Sequence, residues 1–300
     1  MMKALLHKAW AALFPLPQVG ALEALLARVL VAYAMWYFYP IFTPPAVQPD
    51  PVGLAHFFDL TWLGDPAVLA FYKQVFLVIL CVYAAGLALP VTLPLLAIMQ
   101  MLPYTLINSQ GFTNHSHNIL SVALMSQALV AVCQLRGGWL QPHARMNAWL
   151  LASAQAGIAC TYLISVCSKM IASGGTWLFK SHYIALDLVK TMRQNYFSQL
   201  EPRFATEPEG VVWMLQHPKL TALVFNSGFF LEALIVLAVG TRWLAFFFGV
   251  SAILMHRSIH YLMGLEFHQN EAMLVVFFVN VPFLMAALWA WGERKVRGLR

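Results

Sequence analysis

Apolar residues run along this chain in long blocks separated by short polar stretches. A membrane helix needs about 20 mostly apolar residues. Eight segments meet that length, roughly 19–41, 67–89, 90–107, 117–135, 147–170, 219–239, 241–263 and 270–291. Only a turn at Leu89-Pro90 separates the second from the third, and only Gly240-Thr241 separates the sixth from the seventh. Such short turns make antiparallel helical hairpins. The pattern predicts an all-α integral membrane fold, a polytopic bundle of about eight transmembrane helices. The long stretch 171–218 is a loop in this reading. An interfacial helix is expected near 178–199, where Phe179, Tyr183 and Tyr196, with Trp177 just before them, lie among basic residues. No internal repeat or second domain is visible, so 1–300 reads as a single transmembrane domain.

Composition removes the soluble alternatives. Apolar residues make up 61% of the chain and charged residues 10%, against roughly 45–50% and 25% in soluble domains. So few charges cannot clothe two soluble domains, and the mean hydropathy of +0.70 agrees. Disordered, fibrous and disulfide-scaffold classes are excluded on the same ground. Cys81, Cys133, Cys160 and Cys167 all lie in apolar runs without CxxC spacing. They read as buried free thiols, with neither a disulfide frame nor a zinc site. A cleaved leader is not expected: Pro15 and Pro17 interrupt the segment after Lys3 and Lys8, and Glu23 and Arg28 fall in the next apolar run.

The net charge of +6 reads as membrane orientation, not nucleic-acid binding. Lys3 and Lys8 precede the first span, and Arg294, Lys295, Arg297 and Arg300 follow the last. Both termini are therefore expected in the cytoplasm, which requires an even number of spans. Eight spans then place Arg136, Arg145 and Arg242 inside. Loop 42–66, with acidic but no basic residues, falls outside.

An ionisable group within a span costs at least about 2.5–3.5 kcal/mol on insertion scales. Asn114, His115, Ser116, His117 and Asn118 form the densest polar cluster, where the fourth span begins. A helix cap explains Asn114 or Ser116 but does not need two histidines. Lys169 ends the fifth span, either as a snorkelling lysine or as a desolvated amine able to act as a base. His256 and His260 share a helix face, as core histidines or as ligands. Spacing fixes no third ligand, so no metal site is assigned. Glu23, Arg28, Lys73 and Glu232 read as partners within the bundle or as snorkelling groups. His115, Lys169, His256, His260 and His268 all fall near the outer face in this topology, which favours a site opening outward.

These residues resemble a known family. Asn114-His115-Ser116 opening a span is similar to the Asn-His-Ser segment of the vitamin K-dependent gamma-carboxylase. The run from Thr161 through Tyr162 to Lys169-Met170, with Trp177 beyond, resembles the segment that carries that family's catalytic lysine. Glu232 through Thr241-Arg242 to His256 is similar to its later pair of spans, and Arg28 fits its opening helix. The same module defines the horizontally transferred transmembrane (HTTM) domain family of bacteria, and the resemblance covers about residues 20–290. It implies a quinol-dependent, carboxylase-like lyase in a bacterial inner membrane, with its site facing outward. The implied cofactor is reduced vitamin K or another isoprenoid quinol. Lys169 would be the base, with Asn114 and His115 as its partners and His256 as an electrostatic helper. His117 and His260 would help hold the cofactor. The expected partners are the lipid bilayer, a lipophilic quinone and a small or peptide substrate.

Other readings stay open at this point. The stretch Gly174-Gly175-Thr176-Trp177 lacks the acidic residue of the family pattern, which keeps a non-catalytic accessory or scaffold module in view. His256, His260 and His115 keep a His-ligated haem or metal redox protein in view. Transport is weaker, because neither internal symmetry nor paired broken helices are evident.

Overall fold

The structure is a computed structural model that describes residues 16–39, 50–109, 118–134, 142–200, 202, 205, 209–263 and 265–297. Among the described residues every regular element is helical. They are α1 (Ala21–Tyr37), α2 (Pro66–Ala84), α3 (Leu89–Asn108), α4 (Asn118–Cys133), α5 (Ala144–Ala172), α6 (Trp177–Lys180), α7 (Ile184–Gln199), α8 (Glu209–Gln216), α9 (Pro218–Leu234), α10 (Arg242–Met263), α11 (His268–Phe277) and α12 (Val281–Arg297), with short 3-10 turns between some of them. Among the described residues, four helices are long and apolar enough to cross a membrane: α2, α3, α5, and α9 with its 3-10 extension to Ala238. Counting the bent pair α11 and α12 as one span gives five. The structure thus supports an all-α membrane protein. In α10, Arg242, His256, Arg257 and His260 dilute an otherwise apolar helix.

Local chemistry explains the helix ends. Asp65 caps α2 by accepting from the backbone N–H of Ala67 (2.7 Å) and Val68 (3.2 Å), and Pro66 follows with its φ already helical. His143 caps α5 by accepting from Met146 N–H at 3.1 Å. Helix α5 has 29 residues, so it is about 43 Å long. It packs on α4, α9 and α11 and forms the spine of the molecule. The α4–α5 contact is close because Gly157 has no side chain: a Cβ there would stand 2.2 Å from Ser126 Oγ.

Two chain breaks meet at one point on that spine. The segment expected as one helix over 270–291 is broken at Phe278–Asn280, where Asn280 takes a left-handed φ of 55° and α11 and α12 meet at a 40° bend. The second break, at Gly240, precedes α10. Buried Gln155 bridges both: its Nε2 donates to Phe277 O (2.8 Å), and its Oε1 accepts from Gly240 N–H (3.2 Å). Gln155→Leu is expected to strand both backbone groups, at about 1–3 kcal/mol each, read as a lower thermal midpoint in detergent. A midpoint equal to that of the native protein would show that neither bond matters.

The charged groups of α1 find partners on distant helices. The Glu23 carboxylate accepts from Arg242 Nη1 (2.7 Å) and Nη2 (2.9 Å) and from Asn280 Nδ2 (3.0 Å). Arg242 also donates to Gln18 O and lies 4.0 Å from the Phe283 ring centroid. Arg28 lies against Gly86 at the turn between α2 and α3, where a Cβ would come within 2.7 Å of its Nη2 and where φ is +76°. Arg28, Gln127 and Asn147 line a cavity of about 30 Å³ beside this cluster.

Two expectations need correction. All four cysteines are free but exposed on the outward faces of their helices, not buried in the bundle. An apolar run does not distinguish a lipid-facing position from a core one. The helix expected over 178–199 is also interrupted: a single turn, α6, is followed by a 3-10 turn at Ser181–Tyr183, and α7 begins only at Ile184. Helices α7 and α8 share a small core of Leu188, Met192 and Val211, packed against Phe225 of α9 and Leu262 of α10.

Candidate functional site

Lys169 lies in the last turn of α5. A helical side chain leans toward its own N-terminus, so Lys169 reaches back along the bundle. Its ammonium forms an ion pair with Glu232 of α9, whose side chain is 10% exposed. Trp177 flanks the pair, its ring centroid 5.7 Å from the Lys169 nitrogen. The lysine is therefore engaged with a carboxylate inside the protein.

Tyr162 lies seven residues before Lys169, two turns down the same face of α5. Its hydroxyl is 3.3 Å from His256 Nε2 of α10. The His256 ring is 3% exposed and stacks on Phe267, with centroids 4.6 Å apart and planes within 10°. Glu271, itself buried, pairs with Arg257 Nη2 at 2.5 Å. Helices α5, α9, α10 and α11 thus carry Lys169–Glu232, Tyr162–His256 and Arg257–Glu271 as a polar patch, in which His256 and both carboxylates are buried and Arg257 is 57% exposed.

Not every sequence candidate joins this patch. Asn114, His115 and His117 lie outside the described residues. His260 is only partly buried and its Nδ1 contacts Leu265 O at 3.2 Å. His268 is 3.7 Å from Glu266, and both side chains are largely exposed. The His260 and His268 rings lie 6.3 Å apart, near the end of α10 and the start of α11. Despite sharing a helix face, His256 and His260 have different surroundings, and no group of three or more His, Cys, Asp or Glu able to hold a metal ion occurs among the described residues.

The structure adds three residues that the sequence did not single out. Tyr162 had a usable signal in its heptad spacing from Lys169. Asn270 and Glu271 had a weaker one, as polar groups at the start of the last apolar run.

Several buried polar atoms here have no protein partner: His256 Nδ1, Asn270 Oδ1, Trp177 Nε1 and Asn226 Oδ1. Buried polar groups are normally satisfied, so these atoms suit a ligand that offers both donors and acceptors. No family model matches the chain, and no curated protein or solved structure is significantly similar to it.

Proposed function

We propose that this is an HTTM-type membrane enzyme, related to the vitamin K-dependent gamma-carboxylase and handling the proton of a lipophilic quinol. It would span a bacterial inner membrane eight times, with both termini in the cytoplasm and its site facing outward. The observation that carries this reading is the Lys169–Glu232 pair beside Tyr162–His256, within helices otherwise built for lipid. Ionisable groups are rare at such depth and mark functional sites by default.

In this reading Lys169 is the base. Transfer of its proton to Glu232 leaves a free amine and a neutral acid with no change in net charge, so the pair can prepare a base without separating charges in a low-dielectric site. The free amine can then take a proton from a bound hydroxyl. His256, fixed by Phe267 and Tyr162, is placed to stabilise the oxygen that results. With oxygen and carbon dioxide, a reduced isoprenoid quinol supplies the reducing power for carboxylation in the family resembled. Trp177, Asn270 and His256 would hold its polar head, while its tail would partition into lipid. By resemblance, Asn114, His115 and His117 would complete the proposed site.

The test uses purified protein in liposomes with vitamin K hydroquinone, oxygen, labelled carbon dioxide and a glutamate-containing peptide. Native protein is expected to form quinone epoxide, and Lys169→Ala to lose at least about 100-fold in rate, the scale of positioned acid–base catalysis. Turnover unchanged in the variant, or no epoxide from folded native protein, overturns the reading.

The same ion pair also favours a second reading, a non-catalytic module in which Lys169 and Glu232 fasten α5 to α9. There, replacing both residues with apolar ones would leave the module's partner binding intact.

A further inference from the structure

We propose that the cavity beside Arg28 is a binding site for a small monovalent anion of the halide class, held by Arg28 and Asn147. Its polar lining is Glu23, Arg28, Tyr83, Gln127, Asn147 and Asn280. Asn147 lies in the first turn of α5 and Lys169 in its last, so this cavity is a separate place from the Lys169–Glu232 patch.

Charge counting gives the sign of the ligand. The buried carboxylates among the described residues are Glu23, Glu232 and Glu271. Each already has a cation: Arg242, Lys169 and Arg257 respectively. Arg28 has a share in none of these pairs, and its Nε is buried without a partner. Glu23 and Arg242 cancel, so Arg28 leaves the cavity wall with one uncompensated positive charge. A charge turned into a bundle is costly unless paired. Asn280 cannot help, because its Nδ2 donates to Glu23 (3.0 Å) and its Oδ1 accepts from Phe283 N–H (3.1 Å).

The two free amides narrow the ligand further. Gln127 is 6% exposed and Asn147 9%, and Gln127 Oε1 and Asn147 Oδ1 are both buried without a partner. Gln127 Nε2 donates to Leu150 O at 3.2 Å, which fixes its Oε1 as an acceptor facing the cavity. That oxygen needs a donor, which a water supplies. No hydrogen bond among the described residues fixes the Asn147 amide, so its NH2 is free to turn toward an anion beside Arg28. The cavity measures about 30 Å³, room for about two water-sized occupants. One place goes to the water on Gln127 and one to the anion, so the anion is monatomic. A phosphate, with five heavy atoms, is too large.

A ligand that binds only the folded protein raises its stability as the ligand concentration rises. The purified protein in detergent is therefore melted in sodium chloride and in sodium gluconate at equal ionic strength. The native thermal midpoint is expected to climb with chloride and level off, with bromide able to replace chloride, and to show no such climb in gluconate or phosphate. Arg28→Gln removes the charge and is expected to abolish the chloride response. Asn147→Leu serves as the second variant should Arg28→Gln fail to fold. It is expected to need at least about 10-fold more chloride for half the effect, the weight of one lost charge-assisted hydrogen bond. A native midpoint equal in chloride and gluconate, a climb shared by phosphate, or a chloride response unmoved in the folded variants overturns the proposal.

Discussion

Arg242→Ala is expected to cost about 3–5 kcal/mol, the scale on which removing one member of a buried ion pair destabilises a protein. Glu23 is 4% exposed, and in the variant its carboxylate keeps a single hydrogen bond, from Asn280 at 3.0 Å. Two charge-assisted bonds disappear, along with the guanidinium contact on Phe283 and the tie to Gln18 O. These contacts join the start of α1, the start of α10 and the break before α12, three places far apart in sequence. The damage should therefore appear as loss of cooperative unfolding and a lower thermal midpoint. Glu23→Gln tests the charge separately. It keeps an acceptor for Asn280 and removes the buried negative charge, so it should be milder than Arg242→Ala. A harsher effect from Glu23→Gln would show that the guanidinium, not the carboxylate, is the costly group to leave alone.

The contrast between these residues and the helices shows what a sequence carries. Helices were legible because insertion into lipid demands long apolar runs, and those runs can be read directly. Asp65-Pro66 at the start of α2 could be read as well, since capping is a local transaction. The break at Phe278–Asn280 was hidden because the apolar run continues across it. Asn280 and Pro282 were the available signals, and they became meaningful only once Gln155 and Glu23 were seen to satisfy the opened backbone and side chain. The partners of Glu23 and Glu232 were expected within the bundle, and the structure supplies both. No local rule could pair Glu23 with a residue 219 positions away. The cysteines were misread for the converse reason: a lipid-facing position and a core position have the same hydropathy.

The site divides along the same line. Lys169 and His256 stood out because ionisable groups are costly in apolar surroundings. Tyr162 did not, because a tyrosine in an apolar run is usually packing. Its importance comes from geometry, with its hydroxyl 3.3 Å from His256 Nε2. Glu271 sits on the first turn of α11, and its partner Arg257 lies on α10. Such networks are assembled by helix packing, which the primary pattern does not encode one residue at a time.

The Lys169–Glu232 pair permits a decisive comparison between catalysis and architecture. Lys169→Met alone strands a buried carboxylate and is expected to destabilise by about 3–5 kcal/mol. Glu232→Leu alone strands the lysine, but that side chain is 27% exposed and can relax toward water, so the cost should be smaller. In the double variant neither charge remains, and apolar side chains of similar volume replace the pair. Such replacements are often neutral or stabilising, so the double variant should recover most of the thermal midpoint lost in Lys169→Met. Stability and activity then separate the two readings. If the pair only fastens α5 to α9, restoring stability restores whatever the protein does. If Lys169 is the base, the double variant folds as well as the native protein and still fails to form epoxide, because no apolar side chain can accept a proton. A double variant that is both stable and fully active would place the chemistry elsewhere and leave Lys169 a structural cation.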